Sequence, residues 1–288
     1  MQTRTLAPAR AVFNFLTRCN MDCKFCYLDF NEPRTDYAAW EQIVDRLAAL
    51  GIQSVTFAGG DPFMYQDFQR LLHHAKNKAR FSFIQIDTNG LCIDPSHYRV
   101  ICENCDLLGL PLDGSNSELN AQMRDNDEHY DKVIILLHEF SKLGVKIKVN
   151  TVVSRINLYD LPDLEKLLTK FNIKIWSLYE FWPQGPSVKH ASKYSIPKAE
   201  FIKIANQIFE SASFTKVEIG TVESRRPSYF FVSHAGRAYT INRNNDQEIL
   251  ALGSIFDEDI LQKWNDQADR FHGESRLTNR MQLLNYPS

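Results

Sequence analysis

The stretch Ala11–Phe30 reads AVFNFLTRCNMDCKFCYLDF and runs a short apolar strand directly into three cysteines, Cys19, Cys23 and Cys26. Their spacing is Cys-x3-Cys-x2-Cys. Soft thiolate ligands select zinc, copper(I) or iron–sulfur clusters. A cube of four irons normally takes four cysteines, so three neighbouring thiols leave one iron open to a substrate. The stretch therefore predicts a metal centre on the loop after the first strand.

A disulfide framework and a zinc site suit the three thiols less well. Disulfide frameworks are typical of small secreted proteins, whereas this chain has 288 residues. A zinc site needs a fourth ligand close by, and the residues after Cys26 offer only the carboxylates of Asp29 and Glu32. Zinc and unrelated buried thiols therefore stay as alternatives to an iron–sulfur cluster.

The cysteine spacing, with the aromatic Phe25 immediately before the third cysteine, resembles the cluster loop of the radical S-adenosylmethionine (SAM) superfamily. The resemblance implies that Cys19, Cys23 and Cys26 ligate a [4Fe–4S] cluster and that Phe25 lies near the adenine of SAM. In that family the open iron chelates the amino and carboxylate groups of SAM, and one electron cleaves the sulfonium to give methionine and a 5'-deoxyadenosyl radical.

Composition narrows the class of protein. The chain is 44% hydrophobic, enough for a large buried core. Its 33 Lys and Arg against 35 Asp and Glu give a net charge of -2, which indicates neither nucleic acid nor an anionic membrane as partner. No apolar run approaches the roughly 18 residues that span a bilayer. We expect a cytoplasmic protein with a small-molecule substrate.

Strand-like and helix-like patterns alternate along the chain, which indicates βα units and a parallel sheet. Six such units predict an α/β fold, a partial (β/α)6 TIM-like barrel, over residues 1–182. The strands after the first are predicted at Ser54–Ala58, Phe83–Asp87, Leu107–Leu112, Val145–Val152 and Ile173–Phe181. The helices are predicted at 36–50, with Asp36 as its cap, and at Gln66–Lys78, Pro95–Glu103, His129–Leu143 and Leu161–Phe171.

Residues 183–288 are predicted to form a small C-terminal α/β extension that covers the barrel mouth and the substrate site. The segment WPQGPSVKHASKYS begins at Trp182 and is a loop rich in turn residues. A helix is predicted at Pro197–Ser211. Short strands are predicted at Lys216–Ile219, Tyr229–Val232 and Arg237–Ile241, with a hairpin turn at Ala235-Gly236.

In a parallel β/α barrel the loops after the strands converge on the active site. Polar residues or glycines follow every predicted strand, and Glu180 closes the sixth. The predicted cofactor-binding residues are Phe25, Gly59, Gly60, Asp61, Pro62, Thr88, Asn89, Asp113, Ser115, Asn150 and Arg155.

The run Gly59-Gly60-Asp61-Pro62 resembles the family's GGEP motif, which holds the SAM amino group. Glycine lacks a Cβ, so Gly59 and Gly60 are expected to let the backbone approach a ligand closely. The resemblance implies that Asp61 receives the ammonium. An ordinary tight turn is the alternative.

Two further roles are predicted on later loops. The planar guanidinium of Arg155 suits the SAM carboxylate, with a solvated surface charge as the alternative. Asp113 and Ser115 are candidates for the ribose hydroxyls, although Asp-Gly-Ser is also a common turn sequence. Cys102 and Cys105 lie at a helix end on the opposite side of the barrel, and we expect them to ligate nothing. His190 and His234 are weaker candidates for the substrate site.

Within the family, the GGDP run, the strand KVNTVVSRIN and Trp176 resemble the viperin group, which dehydrates the ribose of CTP. Ser177 stands where a basic residue is expected for triphosphate contact. Residues able to contact phosphate, or to form a solvated basic face, are Lys189, Lys193, Arg225, Arg226, Arg237 and Arg243.

The resemblance therefore implies an enzyme that abstracts hydrogen from a small substrate, such as a nucleotide, with an external one-electron donor such as flavodoxin or ferredoxin. The alternative substrates are a sugar, a nucleoside or a peptide in a biosynthetic pathway. A different class of protein, a non-catalytic zinc-binding protein, is the remaining alternative.

Overall fold

The computed structural model describes residues 7–29, 37–225, 229–242 and 248–267. The strands in these ranges are β1 (Arg10–Leu16), β2 (Ser54–Gly59), β3 (Phe83–Asp87), β4 (Leu107–Pro111), β5 (Ile147–Val153), β6 (Ile173–Glu180), β7 (Lys216–Gly220), β8 (Phe230–Ser233), β9 (Arg237–Ile241) and β10 (Ile249–Ser254). They form one sheet in the order β10-β9-β8-β1-β2-β3-β4-β5-β6-β7.

Helices connect the strands of the barrel and pack on the outside of the sheet. The helices are α1 (Tyr37–Ala49), α2 (Phe68–Asn77), α3 (Pro95–Asn104), α4 (Ser117–Arg124), α5 (His129–Lys142), α6 (Leu161–Leu168), α7 (Ala191–Tyr194), α8 (Lys198–Ser211), α9 (Val222–Arg225) and α10 (Ile260–Gln267). The predicted cap Asp36 lies outside the described residues. Helices α4, α9 and α10 and strand β10 were not predicted, and α7 lies in the segment that was predicted as a loop.

Strands β1 to β6 pair in succession and in parallel, as the alternating pattern predicts. The α/β fold with a partial barrel is therefore confirmed. Strand β7 continues the parallel sheet beside β6. Strand β8 pairs in parallel with β1 on the other side, and β9 and β10 follow it as antiparallel strands. A division of the chain at residues 182 and 183 stays a prediction.

Aromatic side chains fill the space between the helices and the sheet. The ring of Phe15 on β1 stacks on Phe68 of α2 at 5.3 Å and meets the edge of Trp40 of α1 at 5.3 Å. Trp176, which the sequence analysis compared with the viperin group, is fully buried and donates its indole N–H to Thr151 Oγ1 at 2.9 Å. It is a core residue.

The inside of the barrel is apolar at one end and polar above it. Phe83, Leu107 and Ile175 form a buried apolar cluster near the amino ends of their strands. Side chains two residues apart on a strand share a face, so Gln85 lies above Phe83. Thr56 pairs with Gln85 across the sheet and is also buried. The polar side chains of Thr56 and Gln85 therefore lie between this apolar cluster and the carboxyl ends of the strands.

None of the helices in the described ranges combines the length and the apolar character that crossing a membrane requires.

Candidate active site around three cysteines

The loop that carries the cysteines is fixed by the turn after β2. Gly60 donates its N–H to Leu16 O at 2.7 Å, and Asp61 donates to Arg18 O at 3.1 Å. A Cβ on Gly60 would lie 1.4 Å from Arg18 O, and one on Gly59 would lie 2.8 Å from Leu16 O. The missing side chains thus make room for the backbone of the cysteine loop, and a role of these glycines in the approach of a ligand stays a prediction.

Cys19, Cys23 and Cys26 line one cavity of about 180 Å³ at the carboxyl ends of the strands. We call it the cysteine cavity; Phe25, Gly59, Gly60, Thr88, Asn89, Asn150 and Arg124 also line it. The loop closes in a turn in which Cys26 donates its N–H to Cys23 O at 2.9 Å. The sequence analysis predicted site residues on four separate segments of the chain, and the structure brings residues of all four to this one cavity.

The three thiols do not form a site for a single ion. Across residues 7–29, 37–225, 229–242 and 248–267, no three His, Cys, Asp or Glu side chains are grouped to hold one metal ion. All six cysteines are free thiols. Three thiols that line one cavity supply the ligand type that an iron–sulfur cluster takes.

Burial makes the thiols weak acids in the absence of metal. Desolvation raises the pKa of Cys23 to about 12, although the Arg124 guanidinium opposes part of the rise. It also raises the pKa of Cys26 to about 11, and it raises that of Cys19. The thiolate is the form that binds metal, so metal binding must release protons from this loop.

Asp61 does not face the cysteine cavity. Its side chain is fully buried and accepts three hydrogen bonds, from Phe63 N at 3.0 Å, Thr88 Oγ1 at 2.6 Å and Asn89 N at 2.7 Å. Burial raises the pKa of this carboxyl group. In this structure the oxygens of Asp61 join the turn after β2 to the loop after β3, which is a different role from the expected one, and binding of the SAM ammonium by Asp61 stays a prediction. Pro62 follows it as a buried turn residue.

Two amide side chains present polar atoms beside the cysteines. Asn89 Nδ2 lies 3.6 Å from Cys19 Sγ. Asn150 Nδ2 donates to Asp87 Oδ1 at 3.3 Å, while Asn150 Oδ1 is buried and has no hydrogen-bond partner among the described residues. A buried carbonyl oxygen without a donor is costly, so a ligand that donates a hydrogen bond here fits the cavity. Asp87 was not singled out in the sequence.

The cation beside the cysteines is Arg124 rather than Arg155. Arg155 is exposed, and its side chain does not line the cysteine cavity. Arg124, the last residue of α4, is only 7% exposed, and its guanidinium carbon lies 5.3 Å from the centre of the Phe25 ring. Its carbonyl oxygen accepts a hydrogen bond from Cys23 Sγ at 3.6 Å. The sequence analysis missed Arg124 because it did not recognise α4.

The two candidates for the ribose hydroxyls lie elsewhere. Asp113 is fully buried and pairs with Arg124. Ser115 donates its N–H and its hydroxyl to the carboxylate of Asp160, at 2.6 and 2.5 Å. Neither residue lines the cysteine cavity, so the structure gives both a different role from the expected one, and contact with the ribose stays a prediction. Asp113 orients a cation, and Ser115 fixes a loop.

A second cavity, of about 280 Å³, lies inside the barrel and meets the first at Phe25, Cys26 and Asp87, which line both. We call it the barrel cavity. Its charged lining residues are Arg10, Asp87, Lys148, Glu180 and Arg225. Trp182, Tyr229 and Phe231 supply an aromatic wall. Lys148 lies in the middle of β5, where the sequence analysis sought no site residue.

Among the described residues, the others that the sequence singled out do not line the barrel cavity. Lys189 and Lys193 are exposed. His190 is half-buried. His234 and Arg237 line a separate cavity beside β9. Cys102 and Cys105 lie at the end of α3. Arg226 and Arg243 lie outside the described residues.

Comparison with known proteins identifies the class. The family model of the radical SAM superfamily matches residues 13–168, more than half of the chain. The chain therefore belongs to the radical SAM superfamily, whose members are enzymes that use SAM and an iron–sulfur cluster. This membership favours an enzyme over the non-catalytic zinc-binding protein considered as an alternative.

Two relatives are similar to this chain in sequence, and one solved structure is similar to it in fold. An S-adenosylmethionine-dependent nucleotide dehydratase of Lacinutrix mariniflava is 24% identical over 279 residues, covering 90% of this chain and 56% of the relative. One of Flammeovirga pacifica is 26% identical over 257 residues, covering 84% and 86%. The chain thus spans little more than half of the first. Streptococcus suis SuiB bound to S-adenosylmethionine shares the fold, with TM-score 0.69, 18% identity, and 93% and 68% of the two chains covered.

Proposed function

We propose that this radical SAM enzyme binds a [4Fe–4S] cluster through Cys19, Cys23 and Cys26, cleaves SAM reductively and acts on a nucleotide. The observation that carries the proposal is the meeting of the cysteine cavity and the barrel cavity at Phe25, Cys26 and Asp87. SAM bound in the cysteine cavity would then lie next to a substrate bound in the barrel cavity. When bound, the cluster supplies the electron that cleaves the sulfonium of SAM.

Residues of the cysteine cavity fit the polar groups of SAM. Arg124 is its buried cation, and a guanidinium grips a carboxylate through paired N–H groups. Asn150 Oδ1 is an acceptor in need of a donor, and the SAM amino group or a ribose hydroxyl can supply one. Phe25 lies at the boundary of the two cavities, where its ring offers a flat surface to adenine. Asp113 keeps Arg124 in place.

The barrel cavity suits a nucleotide. Arg10, Lys148 and Arg225 outnumber its two carboxylates, Asp87 and Glu180, so anionic groups are favoured there. The aromatic wall gives a base or sugar an apolar surface. Two relatives named as nucleotide dehydratases match most of this chain. These features together support a nucleotide rather than an uncharged metabolite.

Residues that follow β6 complete the barrel cavity in this proposal. Trp182, Arg225, Tyr229 and Phe231 all line it and all follow β6 in the chain. The apolar cluster of Phe83, Leu107 and Ile175 closes the other end of the barrel and keeps water away from the reacting groups. An external one-electron donor such as flavodoxin or ferredoxin completes the proposed reaction.

The test is SAM cleavage by the anaerobically reconstituted protein, with dithionite as reductant. We expect release of 5'-deoxyadenosine to rise when a nucleoside triphosphate is added, and expect no rise with sugar phosphates or short peptides. A rise with a sugar phosphate or a peptide alone would reject the nucleotide. A protein that binds the cluster and SAM yet responds to none of these additions would reject it as well.

A further inference from the structure

Arg225 reaches the barrel cavity from α9, the short helix that follows β7. Val222 of this helix donates its N–H to Glu180 Oε2 at 2.8 Å. Arg225 itself donates from Nη2 to the carbonyl oxygen of Glu180 and from Nε to Thr221 O at 3.3 Å. The end of β6 therefore holds both the helix and the guanidinium that it carries.

Two aromatic rings fix the position of the Arg225 charge. Its guanidinium carbon lies 5.3 Å from the centre of the Tyr179 ring and 5.0 Å from that of Trp182. A guanidinium between aromatic faces keeps its charge with less water around it. A Cβ on Gly220 would lie 2.7 Å from the Tyr179 ring. The absence of a side chain on this glycine, at the end of β7, therefore makes room for the ring.

Tyr179 carries a second cation close by. Lys148 Nζ lies 5.2 Å from the centre of the same ring and donates to the Tyr179 hydroxyl at 2.8 Å. Both cations line the barrel cavity. The carboxylates of that cavity are engaged with chain groups, since Glu180 accepts from Val222 and Asp87 accepts from Gln85 at 2.8 Å. Two positive charges held beside one ring suit a ligand with more than one anionic group.

We propose that Arg225 is a specificity-determining residue that binds the phosphate chain of the substrate, so that the enzyme selects nucleoside di- and triphosphates over nucleosides. This inference rests on the proposed function, which names a nucleotide as the substrate. It adds how the enzyme recognises the number of phosphate groups on that nucleotide. The residue comes from the part of the chain after β6, so selectivity and cluster binding are carried by different segments. Removal of Arg225 then affects the first and spares the second.

The experiment measures binding to the full chain loaded with cluster and SAM under anaerobic conditions. The probes are cytidine triphosphate, cytidine monophosphate and cytidine, with the adenosine series beside them. We expect Arg225→Gln to weaken triphosphate binding by about 10- to 100-fold, as for a lost hydrogen bond to a charged group. Binding of the nucleosides is expected to change by less than about threefold. Arg99→Gln is the matched control, because the Arg99 side chain is 87% exposed on α3.

Arg225→Lys separates charge from geometry. It keeps the positive charge and loses the planar fork, so we expect triphosphate affinity between those of the wild type and Arg225→Gln. Iron content depends on Cys19, Cys23 and Cys26 and is expected to be unchanged in both variants, which shows that they fold. If the triphosphate binds the wild type and Arg225→Gln keeps its full preference over the nucleoside, the Arg225 assignment fails alone. If no nucleotide of either series binds the wild type, the nucleotide function fails and this inference with it.

Discussion

Arg124 and Asp113 form a buried ion pair in which Arg124 Nε lies 2.7 Å from Asp113 Oδ2. The pair continues into the barrel wall, because Asp113 Oδ1 accepts from Val152 N at 2.7 Å. Asp113 N also donates to Asn120 Oδ1 at 3.1 Å, and Asn120 Nδ2 contacts His129 Nδ1 at 2.9 Å. A buried network thus fixes the cation that faces the cysteine cavity.

The first prediction compares the two arginines. Removing Arg124 alone would leave the Asp113 carboxylate buried and unpaired, which is strongly destabilising. The double variant Arg124→Gln, Asp113→Asn removes both charges, and we expect it to weaken SAM binding by about 10- to 100-fold. Arg155→Ala is the control, and we expect no change because Arg155 is exposed. SAM affinity of the cluster-loaded protein is the measurement. Weaker SAM binding by Arg155→Ala together with normal SAM binding by the double variant would show that Arg155, and not Arg124, binds the SAM carboxylate.

The second prediction concerns the turn that holds the cysteine loop. Gly60→Ala places a methyl group where Arg18 O now lies, so the loop must move. We expect a loss of stability above about 3 kcal/mol and loss of most of the bound iron. Gly144→Ala is the control, since that glycine has φ +73 and a methyl group on it would meet nothing within 4 Å; we expect a cost of about 1 kcal/mol and full iron content. Normal iron content in Gly60→Ala contradicts the role given to this turn.

The third prediction separates two roles for Asp61. Asp61→Ala leaves three donors without their acceptor, two of them main-chain N–H groups. We expect the free energy of unfolding to fall by about 3 kcal/mol or more, with a smaller loss in Asp61→Asn, which keeps one carbonyl oxygen. Urea unfolding of the metal-free protein is the measurement. A variant that has normal stability but fails to bind SAM would indicate that Asp61 binds the SAM amino group.

Local patterns were enough to predict the frame of the site. The cysteines sit on a loop whose spacing is contained in eight residues, and β2, β3 and β4 follow from runs of apolar residues between turn signals. Because the strands are parallel, their carboxyl ends had to share a rim. Thr88, Asn89 and Asn150 were found in this way, and all three line the cysteine cavity.

The errors arise where side-chain direction depends on tertiary contacts. The segment DGSNSELNAQMR reads as a turn followed by polar residues, so α4 and its last residue Arg124 were missed. Asp61 has the charge to bind an ammonium, but nothing in its neighbours along the chain shows that the loop after β3 supplies its donors. Lys148 lies within a strand pattern, and only the open interior of the barrel turns it into a cavity residue.

The fourth prediction is a pH dependence of stability. Burial, with a smaller contribution from the Arg124 charge, lowers the pKa of His129 to about 2. The unfolded chain protonates this residue below about pH 6.5, so its contribution to stability is complete above that pH and declines as the pH falls towards 2. Between pH 7 and pH 5 we expect the wild type to lose about 2 kcal/mol that His129→Gln does not lose.

Chemical unfolding of the metal-free protein at the two pH values checks this expectation. His138→Gln is the control, because His138 is exposed on the same helix α5, and it is expected to behave as the wild type does. Equal pH dependence in His129→Gln and the wild type would show that His129 takes up its proton in the folded protein.

The most direct measurement of the central claim is the iron and sulfide content of the anaerobically reconstituted wild type and of Cys23→Ala, together with 5'-deoxyadenosine released on reduction with SAM. We expect about four irons and four sulfides per wild-type chain, with release of the nucleoside, and neither cluster nor release in Cys23→Ala. A wild type that takes up one zinc and no sulfide, or a Cys23→Ala variant that still cleaves SAM, contradicts the account.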